Sequence, residues 1–389
     1  MKKILLFLAV TFSTASYSQL TDSNFRNAIN TCLTTNPEDG MCTDSEYGAM
    51  PDWDVSQVTD MSSAFEDRNV FNGDLSSWDV SNVAYMLGMF EEASAFNQPI
   101  GNWDVSNVAY MPFMFNEASA FNQDISGWVT SSVIAMNGMF WRASTFNGDI
   151  SSWNVSKVND MSFMFYGASA FNGDISEWNT SSVYNMGGMF GVASSFNQDI
   201  SGWDTSSVSN MSFMFGVASS FNQPIGNWDV SQVTDMSYMF EEAESFNRDI
   251  SGWDVSNVTD MDWMFNGASA FNQDISSWCV TNIASEPSEF SNNSALSENN
   301  KPDWGTCPTA SVDDQNQLDI SVYPNPSSDI VYIEGNYSQL KVVVYDILGK
   351  QVIKESITNS IDISQLEKGV YILQLSDGVK LTTKRIIKN

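Results

Sequence analysis

Large apolar residues recur at a fixed interval through the middle of the chain. Each recurring unit is 25 residues long, without insertion or deletion. Tryptophan marks every unit, at Trp53, Trp78, Trp103, Trp128, Trp153, Trp178, Trp203, Trp228, Trp253 and Trp278. A period of roughly 20 to 50 residues is typical of one supersecondary unit that is copied and stacked, each copy burying its apolar face against its neighbours. The pattern predicts a solenoid of about ten coils over residues 53–278.

Within a unit, the first apolar positions have a strand-like order. From Ile100 they follow at Trp103, Val105 and Val108, which is similar to the leucine-rich pattern L-x-x-L-x-L-x-x-N. We expect a strand at Trp-x-Val, because its third position is β-branched in every copy. These β-branched residues are Val55, Val80, Val105, Thr130, Val155, Thr180, Thr205, Val230, Val255 and Val280.

The next apolar positions predict a short helical arc. Met111, Met114 and Phe115 follow Val108 at intervals of three, three and one, which is helical rather than alternating. Methionine fills irregular gaps in a stacked core. We interpret the methionine stripe as core and not as a binding surface. The predicted fold class is mainly β with short helical arcs, arranged as a leucine-rich-repeat-like solenoid.

Two polar positions recur where the coil is expected to turn. Asparagine follows phenylalanine, and stacked amides can satisfy the turning backbone of adjacent coils. These residues are Asn72, Asn97, Asn122, Asn147, Asn172, Asn197, Asn222, Asn247 and Asn272. Aspartate lies three residues after the phenylalanine, at Asp74, Asp124, Asp149, Asp174, Asp199, Asp249 and Asp274, with Pro99 and Pro224 in two copies. A position that accepts proline is a turn position, where aspartate caps backbone amides; calcium binding is the functional alternative.

The residue between the two inward positions of the predicted strand is expected to face solvent. It is Asp54, Asp79, Asp104, Asp204, Asp229 and Asp254 in six copies, and Val129, Asn154 and Asn179 in three. Serine lies two places further on, as at Ser206, Ser231 and Ser256. Stacked carboxylates repel each other unless something compensates. This row of aspartates, the acidic ladder, is therefore either a solvated surface or a candidate binding face for a cationic or hydroxyl-bearing partner.

The start of the chain predicts export. Lys2 and Lys3 precede an apolar run, Ile4 to Phe12, that is too short to span a bilayer, and a small-residue cleavage site follows. Residues 1–18 are therefore predicted to be a signal peptide. Exported proteins meet an oxidising compartment, in which an even number of cysteines indicates disulfides.

The four cysteines flank the repeats, in a predicted N-terminal cap, 19–52, and C-terminal cap, 279–308. Local pairing, Cys32 with Cys42 and Cys279 with Cys307, closes a short loop at each end, whereas the ends of the array are too far apart for cross-pairing. A zinc site is the functional alternative, but the chain has no histidine and no Cys-x-x-Cys. We expect neither a metal nor a cofactor.

After Pro308 the composition changes. Residues 309–317 are polar and are interpreted as a linker. From Leu318 onwards, β-branched runs separated by turn residues predict strands, and most of the lysines lie here. Residues 318–389 are therefore predicted to form a separate, small, immunoglobulin-like β-sandwich.

Charge and composition exclude several functions. The net charge is −31, which argues against nucleic-acid binding because phosphate contacts need clustered Lys and Arg. Without histidine, His-dependent triads and general bases are excluded, although a pair of carboxylates could still act, as in glycosidases. An uninterrupted array offers no inserted loop for an asymmetric active site. We expect a binding protein and not an enzyme, with a carboxylate-dependent, glycan-acting enzyme as the alternative.

The unit resembles the repeat of BspA-type leucine-rich-repeat surface proteins, a repeat that also occurs in mycoplasma lipoproteins. The resemblance is carried by Trp-Asp-Val-Ser-x-Val-x-x-Met, Met-Phe and Ala-Ser-x-Phe-Asn-x-Asp-Ile, over about residues 21–307. It implies a surface-exposed solenoid used in adhesion or protein contact. It transfers no catalytic residue.

The C-terminal segment resembles the sorting domain of the type IX secretion system of Bacteroidetes. The resemblance is carried by Tyr323, Pro324, Asn325 and Pro326, by Gly349 within Tyr-Asp-Ile-Leu-Gly-Lys, and by Gly369 within Leu-x-Lys-Gly-Val-Tyr. It implies passage across the outer membrane, followed by removal of the domain or its exchange for a lipopolysaccharide anchor. The expected location is the cell surface or the extracellular space. The expected partners are the type IX machinery and an extracellular protein or glycan, and not nucleic acid.

Overall fold

The computed structural model describes residues 17–308, 318, 320–335, 337, 339–378 and 380–389. The predicted linker, 309–317, and most of the predicted signal peptide, 1–18, lie outside these residues. The chain divides into two compact units, the first ending at Pro308 and the second beginning at Thr309. Within the described residues, no helix is long and apolar enough to cross a membrane.

The first unit opens with helix α1, Phe25–Thr35, which covers the apolar end of the array of copies. The side chain of Phe25 packs edge-on against Trp78, with ring centroids 5.7 Å apart. The helix is fixed by a disulfide between Cys32 and Cys42. At the other end of the array, a second disulfide joins Cys279 to Cys307. Short 3-10 turns lie at Met50–Asp52 and Glu298–Asn300.

The second unit consists of two antiparallel sheets, with strand orders β1-β2-β5 and β4-β3-β6-β7. The strands are β1 (Ile320–Tyr323), β2 (Ile330–Gly335), β3 (Leu340–Asp346), β4 (Gln351–Ile357), β5 (Ser360–Asp362), β6 (Gly369–Ser376) and β7 (Leu381–Lys388). Val331 of the first sheet and Val342 and Leu373 of the second belong to one buried cluster. The described residues thus contain one α-helix and small sheets, and the mainly-β class is confirmed.

Successive copies are joined by backbone hydrogen bonds in the methionine–phenylalanine segment. Every second N–H group of one copy donates to a carbonyl of the next copy, over 2.8 to 3.0 Å in the first pair of copies. The donors there are Met61, Ser63, Phe65 and Asp67, and the acceptors are Tyr85, Leu87, Met89 and Glu91. Isolated parallel bridges mark the same segment, from Asp60–Tyr85 to Asp235–Asp260.

The prediction of a strand at Trp-x-Val followed by a helical arc is wrong. Residues 153–155 form no strand, and the bridge of that copy lies at Asp160. The supposed arc is a series of turns, in which Met164 N–H donates to Met161 C=O at 3.2 Å. This bond explains the three-residue spacing. Phe163 between them has a φ of 57°, and a left-handed residue ends helical propagation after one turn.

The peptide groups of this segment point the same way along the stack. The carbonyl of Tyr85 accepts from the preceding copy at 2.9 Å, and the N–H of the same peptide, on Met86, donates to the following copy at 2.8 Å. Aligned peptide dipoles add, as in an α-helix, and leave partial negative charge at the carbonyl end. There, the guanidinium of Arg26 on α1 donates to the carbonyl of Ser62. The cap thus places a cation where the dipoles accumulate negative charge.

Tryptophans form an internal column, as the periodicity predicts. The side chain of Trp153 is only 3% exposed and stacks on Trp128, with centroids 6.1 Å apart. Its Nε1 donates to the carbonyl of Ile125 in the preceding copy at 3.2 Å. Each indole therefore joins adjacent copies both by ring contact and by a hydrogen bond.

The predicted asparagine ladder is confirmed. Asn147 N–H donates to Oδ1 of Asn122 at 2.9 Å, and Asn172 N–H donates to Oδ1 of Asn147 at 2.8 Å. The same bond joins successive asparagines from Asn72 to Asn272. The predicted aspartate turns are also present, as where Ser176 N–H donates to Oδ1 of Asp174 at 3.0 Å.

Candidate binding surfaces

The aspartates of the predicted binding face are exposed, and each closes its own turn. Oδ1 of Asp204 accepts the backbone N–H of Ser206 at 3.0 Å and its hydroxyl at 2.6 Å. The backbone bond recurs in the other copies, at Asp54, Asp79, Asp104, Asp229 and Asp254, over 3.0 to 3.1 Å. Asn154 makes the same bond to Ser156 at 3.1 Å, so the turn does not require a charge.

These hydrogen bonds favour the charged form of the carboxyl group. Bonds from the hydroxyl and backbone of Ser206 lower the pKa of Asp204, against the raising effects of partial burial and of the charge on Asp229. The serine bonds also lower the pKa of Asp54, Asp104 and Asp229. The carboxylates are thus fixed, ionised and turned to solvent. Their role in binding stays a prediction.

A second surface lies on the methionine–phenylalanine segment, where partly exposed side chains lie between pairs of buried ones. We call it the aromatic strip, and it consists of Phe113, Trp141, Phe163, Tyr166 and Phe213, all partly exposed. Neighbouring rings within it have centroids 4.8 to 6.2 Å apart. The row continues to Tyr238 and Trp263 at centroid separations of 6.5 and 5.9 Å.

Three residues of the aromatic strip have an unusual backbone conformation. Phe113, Phe163 and Phe213 have φ values of 55°, 57° and 54°, in the left-handed region that bulky residues rarely adopt. Each lies ten residues after the tryptophan of its copy. The N–H of each donates to a carbonyl of the next copy, over 2.8 to 3.0 Å. Their rings are partly exposed.

Glycines beside the strip leave space for the rings. A Cβ added at Gly138 would lie 2.2 Å from Cε1 of Phe113, and one at Gly188 would lie 2.4 Å from Cδ1 of Phe163. Both separations are far below contact distance. The rings of Phe113 and Phe163 therefore lie directly against the backbone of the next copy. The ring planes within the strip are inclined to one another by 26° to 65°.

Polar groups line one end of the strip. Oδ1 of Asn116 is buried and has no hydrogen-bond partner among the described residues, whereas its Nδ2 donates to Oε1 of Glu91 at 2.8 Å. Arg142 pairs with Glu117 across adjacent copies, with Nη1 and Oε1 2.9 Å apart. The exposed Arg142–Glu117 pair offers donors and acceptors near Phe113, whereas Oδ1 of Asn116 lies below the surface.

Charge is distributed unevenly along this face. In the four middle copies, the six-residue segments 137–142, 162–167, 187–192 and 212–217 contain a single charged residue, Arg142. We call these segments the neutral window. The equivalent segments on either side carry Glu66, Asp67, Glu91, Glu92, Glu117, Glu241, Glu242 and Asp262. The neutral window coincides with most of the aromatic strip, in a chain whose net charge is −31.

Sequence reasoning missed the aromatic strip because it assigned the whole methionine segment to the core. Comparison of the copies contains a usable signal. The position ten residues after tryptophan alternates between phenylalanine and glycine, at Phe113, Gly138, Phe163, Gly188 and Phe213. A core position would not tolerate such a change of volume without compensation.

The predicted sorting motif joins the two ends of the second unit. Oδ1 of Asn325 accepts the N–H of Ile387 at 2.8 Å, and its Nδ2 donates to the carbonyl of Arg385 at 2.7 Å. Tyr323 is 48% exposed and stacks on Tyr332, with centroids 6.0 Å apart. The asparagine therefore anchors the segment after β1 to the last strand, β7.

The two motif glycines have different places in this unit. Gly349, with a φ of 81°, lies in the turn between β3 and β4, where glycine avoids the cost of a left-handed side-chain-bearing residue. Gly369 is the first residue of β6. Within the described part of the chain, no group of three or more His, Cys, Asp or Glu is placed to hold a metal ion.

Comparisons with known proteins identify both units. Three overlapping stretches, 40–151, 135–232 and 198–304, match the family model described as "Mycoplasma protein of unknown function, DUF285". Residues 321–389 match the model described as "Secretion system C-terminal sorting domain". No curated protein matches the chain. The sorting domain supports secretion through the type IX system and targeting to the outer membrane or cell surface.

Proposed function

The chain belongs to the DUF285 family, and from this and its sorting domain we propose that it is a surface-displayed or released protein that binds an extracellular protein or glycan. The repeats act as a leucine-rich-repeat-like solenoid of the BspA type, used in adhesion. The second unit acts as an immunoglobulin-like sorting domain that engages the type IX machinery.

One observation carries the binding proposal, namely the aromatic strip. Its five rings are partly exposed and mutually in contact over several copies, although each glycine-bearing copy shows that the stack does not require a ring there. Partly exposed aromatic residues concentrate binding energy at interfaces. A row of them on an otherwise acidic, exported protein is best explained by a ligand.

We further propose that the chain has no catalytic activity. Two carboxyl groups near the row of rings have a raised pKa. At Glu92 the main cause is repulsion by Asp67, followed by burial and Glu117, and at Glu241 it is burial, followed by repulsion from Glu242. Glu92 is exposed to solvent and Glu241 is only partly buried. A general acid for glycan cleavage needs a desolvated carboxyl group facing a second one across the substrate. The glycan-acting enzyme is therefore the weaker of the two functions.

The experiment compares the full-length protein with a variant that lacks the centre of the strip, Trp141→Gly/Tyr166→Gly. Glycine already occupies the equivalent position at Gly191 and Gly216, so the variant is expected to fold. Both are tested against immobilised fibronectin, collagen, mucin and a glycan array. We expect the wild-type protein to bind at least one of these ligands and the variant to lose that binding. Equal binding of both proteins to these ligands, or no binding by the wild-type protein, would contradict the proposal.

A further inference from the structure

We propose that the aromatic strip binds an uncharged polysaccharide that runs along the stack of copies. The inference rests on the proposed binding function and assigns a ligand class to it. It follows from the shape of the strip, from its lack of charge and from the polar groups at its edge.

The shape of the strip suits sugar rings. Trp141 lies 4.8 Å from Phe163, centroid to centroid, with the ring planes 26° apart. Tyr166 lies 5.1 Å from Trp141 at 49°, so the three rings form a continuous patch of inclined faces. Neighbouring glycines carry no side chain that rises above this patch. A pyranose ring presents a flat face of C–H groups, which packs against an aromatic face with the hydroxyls directed outward. A protein partner would instead be expected to insert side chains into recesses.

The scarcity of charge in the neutral window favours an uncharged ligand over a charged one. A chain with net charge −31 repels polyanions. A cationic partner would gain most from Glu91, Glu92 and Glu117, or from Glu241 and Glu242, which lie outside the neutral window. The rings are instead concentrated where the charged side chains are missing. Complementarity therefore favours an uncharged ligand.

The direction of the ligand follows from the repeat. The strip extends over five copies, from Phe113 to Phe213, although the fourth of them has glycine at both positions, Gly188 and Gly191, and contributes no ring. Tyr166 and Phe213 still have centroids 5.9 Å apart, so the row is continuous across that copy. A linear polymer of similar units can contact such a row repeatedly, and linked contacts strengthen one another. At one end, the exposed Arg142–Glu117 pair supplies donors and acceptors for hydroxyl groups.

The test uses the full-length protein and insoluble cellulose, chitin and β-1,3-glucan, with alginate and chitosan as anionic and cationic comparators. Binding is measured by depletion from solution and by affinity electrophoresis in soluble xyloglucan. Three variants replace a strip residue by the residue of an equivalent copy: Trp141→Gly, Phe163→Gly and Tyr166→Gly. The matched control is Tyr110→Asn, which removes an exposed ring outside the strip and copies Asn185.

We expect binding to at least one neutral polysaccharide, weakened about tenfold by each strip variant and unchanged in Tyr110→Asn. Thermal melting checks that each variant is folded; a variant that melts early is replaced by Trp141→Gln, which keeps a side chain at that position. Binding of alginate or chitosan alone, or equal binding by strip variants and wild type, would overturn the inference. If the strip binds a protein such as fibronectin and no glycan, the proposed ligand class is wrong, whereas the proposed binding function is supported.

Discussion

The carboxylate of Asp22 gives Thr59 the hydrogen-bond acceptor that a preceding copy would supply, because no copy precedes the first repeat. Its Oδ1 accepts the N–H of Thr59 at 2.7 Å, and its Oδ2 accepts the Thr59 hydroxyl at 2.7 Å. One copy later, Ala84 N–H donates instead to the carbonyl of Thr59 at 2.9 Å. The cap thus ends the stack by supplying the acceptor that a preceding copy would have provided, since a backbone donor left unpaired is destabilising.

Removal of this acceptor is expected to destabilise the first copy. Asp22→Ala should lower the free energy of unfolding by about 1 to 2 kcal/mol, the range found for residues that cap helix ends in the same way. Asp22→Asn, which keeps one oxygen, should cost less. Urea denaturation measures the loss, and amide exchange at Thr59 locates it. Asp44→Ala, exposed on the same cap, is the control. Faster exchange in the middle copies, with Thr59 still protected, would contradict the capping role.

Acid is expected to weaken the array. Burial raises the pKa of Asp22, but its bonds to Thr59 and Asp60 outweigh this and lower it, and serine bonds lower the pKa of Asp174 and Asp199. Groups with a lowered folded-state pKa stabilise the fold above their unfolded value, about 3.9, and this stabilisation is lost as pH falls through the folded-state pKa. Urea midpoints should therefore be level near neutrality and fall below about pH 4.

The control for this pH dependence is a variant whose turns cannot titrate. Asp174→Asn/Asp199→Asn keeps the turn, because Asn154 already makes it with Ser156. Its midpoint should fall less steeply with acid than that of wild type. An identical slope would mean that these turns do not account for the acid sensitivity.

The tryptophan column predicts a large loss at the centre of the array. Trp153→Ala removes a buried ring and the hydrogen bond to Ile125, and the loss should be roughly 3 to 5 kcal/mol. Trp153→Phe keeps an aromatic ring and should cost less. Urea midpoints measure both. An unchanged midpoint in Trp153→Ala would refute the role of the column.

The sorting domain should be dispensable for folding and required for secretion. Deletion of residues 318–389 removes a unit with its own buried core and leaves the residues of the first unit intact. We expect the truncated protein to keep the melting transition of the repeats but to remain in the periplasm. Cell fractionation with an antibody against the repeats checks this. Normal surface levels of the truncated protein would rule out the sorting role.

The acidic ladder offers a binding test that leaves the fold unchanged. Asp204→Asn/Asp229→Asn/Asp254→Asn keeps the turn oxygens and removes three charges, so thermal stability should be retained or slightly raised as repulsion falls. If this face binds a cationic or hydroxyl-bearing partner, ligand capture should decrease, and more so at low salt. Unchanged capture would assign the ladder to plain solvated surface.

Periodicity alone determined the number and order of the copies and the identity of the core. Trp153 and Asn147 recur without exception in their copies, because each must match an identical neighbour on both sides. A residue that packs against its own equivalent is constrained in every copy, so its role is visible as repetition. The same constraint made the internal column and the asparagine ladder predictable.

Only the tertiary structure decided which segment joins the copies and which rings face outward. The joining segment contains left-handed residues, and these positions accept Phe163, Gly188 and Val217 alike, so the residue type does not indicate them. Asp22 acts on Thr59 only because α1 folds over the end of the stack. Hydrophobic spacing records burial, but it does not record the direction of a peptide group, which is fixed when the copies stack and their N–H groups find partners.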